Sequence, residues 1–207
     1  MDDVGVDLNR NYGFKFAYDD VGSDYDPCDN TYRGSAPFSE PETRAMRDFL
    51  IALPKVRIAV NFHAPGPLFI TPFCFDEDAR NPLLASADYL GAKKFYDHAI
   101  SAASLPDFYK TGPAISTIEY TANGEASDFM LGELGIYALT VELGSDKEEI
   151  NEFFIKDAAD LKTLLLETEP WTNEIIDYIL EVDWALEDSQ KMQRIAQAEK
   201  TQVIFEG

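Results

Sequence analysis

Two short runs, Val56 to Phe62 and Ile136 to Leu143, are apolar at nearly every position. A strand that faces water on one side alternates, whereas a strand covered on both faces reads as a continuous apolar run. Both runs therefore predict buried strands, and each reaches a polar side chain near its end: His63 after the first, Glu142 inside the second. Before and between them lie stretches of helical spacing: a helix from the Ser39-Glu40-Pro41-Glu42 start to about Ala52, a long one over Asn81 to Ala103, and a short one over Ser127 to Glu133. Lys147 to Glu167 and Thr172 to about Ile179 read as two amphipathic helices outside the sheet. Ser39 to Glu42 has the form of a capping box with proline in the first turn. Val4 to Leu8 reads as the end of a further buried strand, and Leu68 to Thr71 as a short one. Alternation of this kind argues for an α/β fold, a three-layer α/β/α sandwich around a mixed, mostly buried sheet.

The chain has 207 residues and no internal repeat, enough for one domain with a sizeable core. Residues 1–180 carry the domain, and 181–207 form an acidic tail, helical or frayed. The formal net charge is −21, so nucleic acid and anionic membranes are excluded as partners. No apolar run is long enough to cross a bilayer, and no signal-peptide pattern is read at Met1-Asp2-Asp3. Cys28 and Cys74, the two cysteines, lack metal-ligand spacing, and sequence alone does not declare them a disulfide.

Several short segments carry chemistry. Gly5-Val6-Asp7-Leu8-Asn9-Arg10-Asn11 sets an amide beside a guanidinium, whose planar fork fits a carboxylate bidentately. Tyr12 to Pro37 is a long loop rich in Asp, Gly, Ser and Pro, with Thr31-Tyr32-Arg33-Gly34 inside it. Val60-Asn61-Phe62-His63 puts the imidazole at a strand end, where polar groups of α/β sheets face the ligand crevice. Glu119-Tyr120-Thr121-Ala122-Asn123-Gly124, Ser127-Asp128-Phe129 and Thr140-Val141-Glu142 follow. A carboxylate such as Glu142 in an apolar strand is costly unless it has a partner or a task.

In order and spacing these segments resemble the zinc metallocarboxypeptidases of the carboxypeptidase A/B family, from Val4 to about Leu180. The resemblance implies a zinc-dependent exopeptidase that hydrolyses the C-terminal peptide bond, with peptide or protein C-termini as partners. His63 matches the third zinc ligand and Glu142 the general base. Asn9 and Arg10 match the residues that bind the terminal carboxylate, and Asp7 a residue that orients a zinc histidine. Tyr120 lies eight positions before Asp128, as does the family's mobile tyrosine that closes over the substrate. Ser127 matches the base of the specificity pocket. Glu125, with Glu119, is read as a source of negative charge for basic C-terminal residues. The resemblance also implies a cis Ala64–Pro65 bond, a monomer when complete, and a secreted or lysosomal/vacuolar setting.

The departures are as specific. The family's first two zinc ligands come from a His-x-x-Glu motif before Gly-Val-Asp, and no histidine precedes His63 here. The arginine that stabilises the oxyanion is also missing. Asp3 stands where secreted relatives have the cysteine bridged to the position of Cys28, so the comparison with the family implies that this bridge is not available and that Cys28 is a free, half-buried thiol; Ala64-Pro65 replaces Ser-Tyr. The expectation is an N-terminally incomplete domain, inactive by itself, with one Zn2+ site completed by residues absent from the chain, and an open sheet edge prone to aggregation. The alternative is a catalytically inactive pseudo-peptidase that binds peptide C-termini or acts as an interaction module. A deacylase of N-acyl amino acids ranks below both.

Overall fold

The sheet is built outward from its most buried strand. The computed structural model describes residues 5–64, 66–78, 80–102, 109–144 and 157–182. Four strands are present among them: β1 (Ile58–His63), β2 (Leu68–Ile70), β3 (Lys110–Gly112) and β4 (Tyr137–Glu142). Their order is β1-β4-β2-β3. β1 runs parallel to β4 with Ile58 opposite Tyr137 and His63 opposite Glu142, while β2 is antiparallel to β4 and parallel to β3. The sheet is thus mixed, as expected.

Side chains of β4 alternate between two cores, because successive Cβ atoms of a strand point to opposite faces. Tyr137, Leu139 and Val141 join Phe69, Phe95, Trp171 and Ile175 on one side. Ala138 joins Leu50, Phe129, Met130 and Leu134 on the other. The first core is roofed by α2 (Ala87–Ala102) and α5 (Ala158–Glu181), the second by α1 (Pro41–Ala52) and α4 (Ala126–Gly132). Helices on both faces complete the expected α/β/α sandwich. A four-residue helix, α3 (Ala114–Thr117), follows β3.

Local chemistry explains where elements begin and where the sequence reading erred. Pro41 sits in the first turn of α1, where its missing N–H costs nothing. The expected capping box does not form: Ser39 Oγ donates to the Glu40 carboxylate at 2.8 Å, and the Glu40 N-cap makes no side-chain bond to the helix. Residues 5–7 are not a strand; Asp7 caps a 3-10 turn over Leu8–Arg10. The long helix expected from Asn81 is divided, because Asn81 caps a 3-10 turn over Pro82–Ala85 and α2 starts only after Ser86. β3 and α3 carry too few apolar residues to announce themselves.

The gap expected between a helix ending at Glu167 and another starting at Thr172 is absent, and α5 runs through Pro170. Proline inside a helix costs about 3 kcal/mol. Trp171 beside it is only 3% exposed and packs edge-on against Phe69 at 5.1 Å. Burying about 200 Å² of indole contributes about 5 kcal/mol, which offsets the proline. The part of the expected helix from Lys147 to residue 156, the tail from residue 183, and the Ala64–Pro65 bond lie outside the described residues. The cis peptide seen among the described residues is Pro72–Phe73.

Neither cysteine is in a disulfide, and Cys28 is exposed rather than half-buried. On the edge away from β4, β1 has no partner strand among the described residues, and Phe62 on it is 51% exposed. An unpaired parallel edge with an exposed ring is the kind of surface that invites pairing with another chain.

Leu139 is 1% exposed at the centre of β4. Leu139→Ala should destabilise the fold by about 2–5 kcal/mol through lost burial and the cavity left behind. Denaturant unfolding checks this: a lowered midpoint at unchanged slope is the expected result.

Candidate functional site

Parallel pairing of β1 with β4 brings both strands to the same end of the sheet, where α/β folds keep their ligand crevices. There His63 Nδ1 stands 3.7 Å from Glu142 Oε1. Burial pushes the Glu142 carboxyl above its ordinary value; His63 and Arg10 pull it down, and Glu125 pushes it up. Gly66 lies directly over Glu142, and a Cβ there would collide with the glutamate side chain. Glycine at this position is what lets the chain after β1 cross the carboxylate.

The turn before α1 supplies the opposite wall. Asp7 Oδ1 accepts the Asn9 amide at 2.9 Å and so shapes the 3-10 turn that presents Asn9 and Arg10. The Asn9 side chain reaches across to α4: its Oδ1 accepts from Ala126 N at 3.1 Å and its Nδ2 donates to Glu125 Oε1 at 3.4 Å. Arg10 is 8% exposed, with Nη1 donating to the Asn9 carbonyl at 3.0 Å and Nε to the Gly22 carbonyl. No carboxylate pairs with it among the described residues.

Asn11, fully buried, locks this turn in place. Its Nδ2 donates to the carbonyls of Arg33 and Ala36 and to Ser39 Oγ, while its Oδ1 accepts from Glu40 N and Thr43 Oγ1. One amide thus ties the Leu8–Arg10 turn, the long loop and the start of α1 together. The sequence reading placed Asn11 in its motif but gave it no task.

Glu125 forms the floor. It is the N-cap of α4, accepting from Ser127 N at 2.8 Å and Asp128 N at 3.0 Å. Ser127 Oγ and Thr140 Oγ1 also donate to it. Asp128, beneath, accepts from Cys74 N at 2.9 Å and Phe75 N at 3.2 Å. Burial, reinforced by the charge of Glu125, pushes the Asp128 carboxyl well above its ordinary range.

Together Asp7, Asn9, Arg10, His63, Tyr120, Glu125 and Glu142 line one cavity of about 160 Å³, with Cys74, Thr140 and several aliphatic side chains completing its walls. Seven of the eight site residues expected from the sequence therefore meet. The eighth, Ser127, is not on the wall: it is fully buried under Glu125, with its amide and hydroxyl both donating to that carboxylate. Tyr120 is 41% exposed at the rim, on the turn that follows α3. Glu119 does not face the cavity's interior either; it points outward to Lys110 at 3.4 Å. Cys74 and Thr140 were not anticipated. Thr140 had a sequence signal as the polar residue two before Glu142, whereas nothing marks Cys74.

A catalytic zinc takes three protein ligands and keeps one open position. The cavity receives a single imidazole, and His98, the other histidine of the chain, lies on α2 against Tyr178 and Glu174. Cys74, Glu125 and Asp128 could offer donor atoms within 4.8 Å of one another. The two carboxylates, however, already accept from backbone amides and, for Glu125, from two hydroxyls, and Asp128 lies beneath the floor. Among the described residues, those lining the cavity do not by themselves supply the donor set of a catalytic zinc.

A sequence profile of the family described as zinc carboxypeptidase matches residues 2–169. A metallocarboxypeptidase A-like protein of Trichophyton verrucosum is 39% identical over 145 residues, covering 67% of this chain and 32% of its own length. Carboxypeptidase B of Astacus astacus is 32% identical over 143 residues, 67% of this chain and 44% of its own length. The chain therefore spans less than half the length of these curated relatives. Among solved structures, bovine thrombin-activatable fibrinolysis inhibitor in complex with tick carboxypeptidase inhibitor superposes with a TM-score of 0.70 at 23% identity, over 86% of this chain and 57% of that one. Carboxypeptidase A from Helicoverpa armigera gives 0.61 at 22% identity, over 84% of this chain and 41% of that one. These likenesses support the fold.

Asp128→Ala would leave the buried amides of Cys74 and Phe75 without an acceptor. Each unmet donor costs about 1–3 kcal/mol. The expected result is a fall in thermal midpoint, accompanied by loosening of the 71–75 segment in hydrogen exchange.

Proposed function

The chain belongs to the zinc carboxypeptidase family, and from that premise we propose that it forms the substrate-holding part of an exopeptidase acting on the C-terminal bond of peptides. The observation that carries this reading is Arg10: a buried guanidinium on a cavity wall, with no carboxylate beside it among the described residues. Burying a charge without a counter-charge is expensive. An arriving terminal carboxylate supplies that counter-charge, and the Arg fork accepts it bidentately.

In this reading Asn9 and Arg10 hold the terminal carboxylate, which fixes the last peptide bond relative to Glu142 and restricts action to chain ends. Glu142 takes a proton from the attacking water and delivers it to the leaving amine, a task suited to a carboxyl raised by burial. Tyr120 closes the rim over the bound residue. His63 is one donor for the family's zinc, and the remaining donors would come from outside these 207 residues.

A second reading is a binding module for peptide C-termini without hydrolysis. The single imidazole in the cavity favours it for this chain on its own. With zinc added, residues 1–207 are expected to hold less than one equivalent of metal and to release no C-terminal residues. Stoichiometric zinc with chelator-sensitive release would overturn that expectation. Binding tests the shared core of both readings. Nα-acyl amino acids with a free carboxylate should bind, their amides should not, and Arg10→Gln should weaken the former by about 10- to 100-fold.

A further inference from the structure

Asn123 lies between two cavity residues, Ala122 and Glu125, yet does not line the cavity itself. It is fully buried, and its Nδ2 donates to Asp19 Oδ1 at 2.9 Å and to the carbonyls of Asp19 at 3.1 Å and Val21 at 3.5 Å. One amide group thus holds the loop that runs from Asp19 to Ser23. That loop in turn holds Arg10, because the Gly22 carbonyl accepts from Arg10 Nε. The next residue grips the arginine from its other end. Gly124, φ 70°, lies against the Arg10 carbonyl, where a Cβ would collide, and its own carbonyl accepts from Tyr12 N at 3.0 Å. Residues 123 and 124 therefore fix Arg10 twice, the main chain directly and the side chain through the loop.

A long side chain must be held in one orientation before it can offer a planar fork without losing rotamer freedom on binding. Arg10 meets this condition: Nε is spent on Gly22 and Nη1 on the Asn9 carbonyl, which sets the guanidinium plane and leaves Nη2 without an acceptor among the described residues. Arg33 braces the two ends of the same loop, through the carbonyls of Asp19 and Ser23. The middle, where Gly22 meets Arg10, is left to Asn123. Stability alone does not account for this contact. Asn123 Oδ1 and Ser23 Oγ are fully buried and have no hydrogen-bond partner among the described residues, one on each of the two segments. Unmatched buried polar atoms are costly, and apolar side chains would join the segments without that cost. They would not set the direction of the Gly22 carbonyl.

We propose that Asn123 is a positioning residue of the carboxylate site: by holding the Asp19–Ser23 loop, it sets the Gly22 carbonyl that orients the Arg10 guanidinium. The proposal rests on the carboxylate-binding reading above and deepens it.

The test titrates the full chain with Nα-acetyl-norleucine and with its amide, followed by NMR, which registers weak binding. Asn123→Ala should weaken the acid about tenfold, because the guanidinium must then be ordered by the ligand. The Arg10 Nε–H signal, slow to exchange with solvent in the parent chain, should lose that protection. In the Arg10→Gln background the same substitution should add less than about twofold, since its effect passes through Arg10. A residue that only stabilised the fold would weaken both backgrounds alike. Asp19→Asn keeps the oxygen that accepts from Asn123 and should bind the acid within about twofold of the parent chain, whereas Asp19→Ala should lose about threefold. Should Asn123→Ala fail to fold, Asp19→Ala cuts the same clasp from the half-buried loop and enters the same comparison with Arg10→Gln. A parent chain that prefers acid to amide, with the clasp variants unchanged or with equal losses in both backgrounds, would overturn the positioning role and leave the carboxylate reading intact. Acid and amide bound alike by the parent chain would overturn both.

Discussion

The parallel ladder between β1 and β4 is the constraint on which the site depends. Strand side chains alternate, so a slip of one residue would turn either His63 or Glu142 to the opposite face. Register is held by what the neighbouring positions bury. Leu139 and Val141 are sealed into the core under α2 and α5, and Ala138 faces α1 and α4. Each lost residue of register would expose several of these at once, at roughly 1.5–3 kcal/mol per large side chain. The polar pair at the strand ends is thus positioned by apolar residues that never touch a ligand.

A second layer of control comes from amides. Asn9 and Asn11 sit two apart in the same turn yet do different work. Asn11 is buried and satisfied on both ends of its side chain, which fixes where the turn lies. Asn9 faces the cavity and couples the turn to the first residues of α4. Buried polar groups of this kind stabilise only when their donors and acceptors are matched, and those of Asn11 are.

What could be read in the sequence follows from this division. Buried strands, helix positions and most cavity residues were legible because periodicity and motif spacing survive in a single chain. His63, Glu142, Asn9 and Arg10 could be picked out before any coordinates. Other features depend on tertiary contacts that spacing cannot show. The continuity of α5 through Pro170 is decided by Trp171 entering the core. The inward position of Glu125 is decided by the helix it caps, and the submerged position of Ser127 by that same carboxylate. The outward direction of Glu119 was open in the sequence: its backbone is left-handed, φ 70°, at the turn before Tyr120, and its side chain meets Lys110.

Glu125 has a consequence for how such a pocket can change over time. The same carboxylate that faces the cavity also starts a helix whose residues from Ala126 to Leu131 are all buried. A replacement of Glu125 would change the cavity floor and also remove a helix cap worth about 0.5–2 kcal/mol, a large share of the margin by which a domain stays folded. The floor at this position is therefore not free to drift one substitution at a time. It is tied to a neighbour able to take over the cap, and Ser127 and Thr140, already in contact with the carboxylate, are where compensation would have to arise.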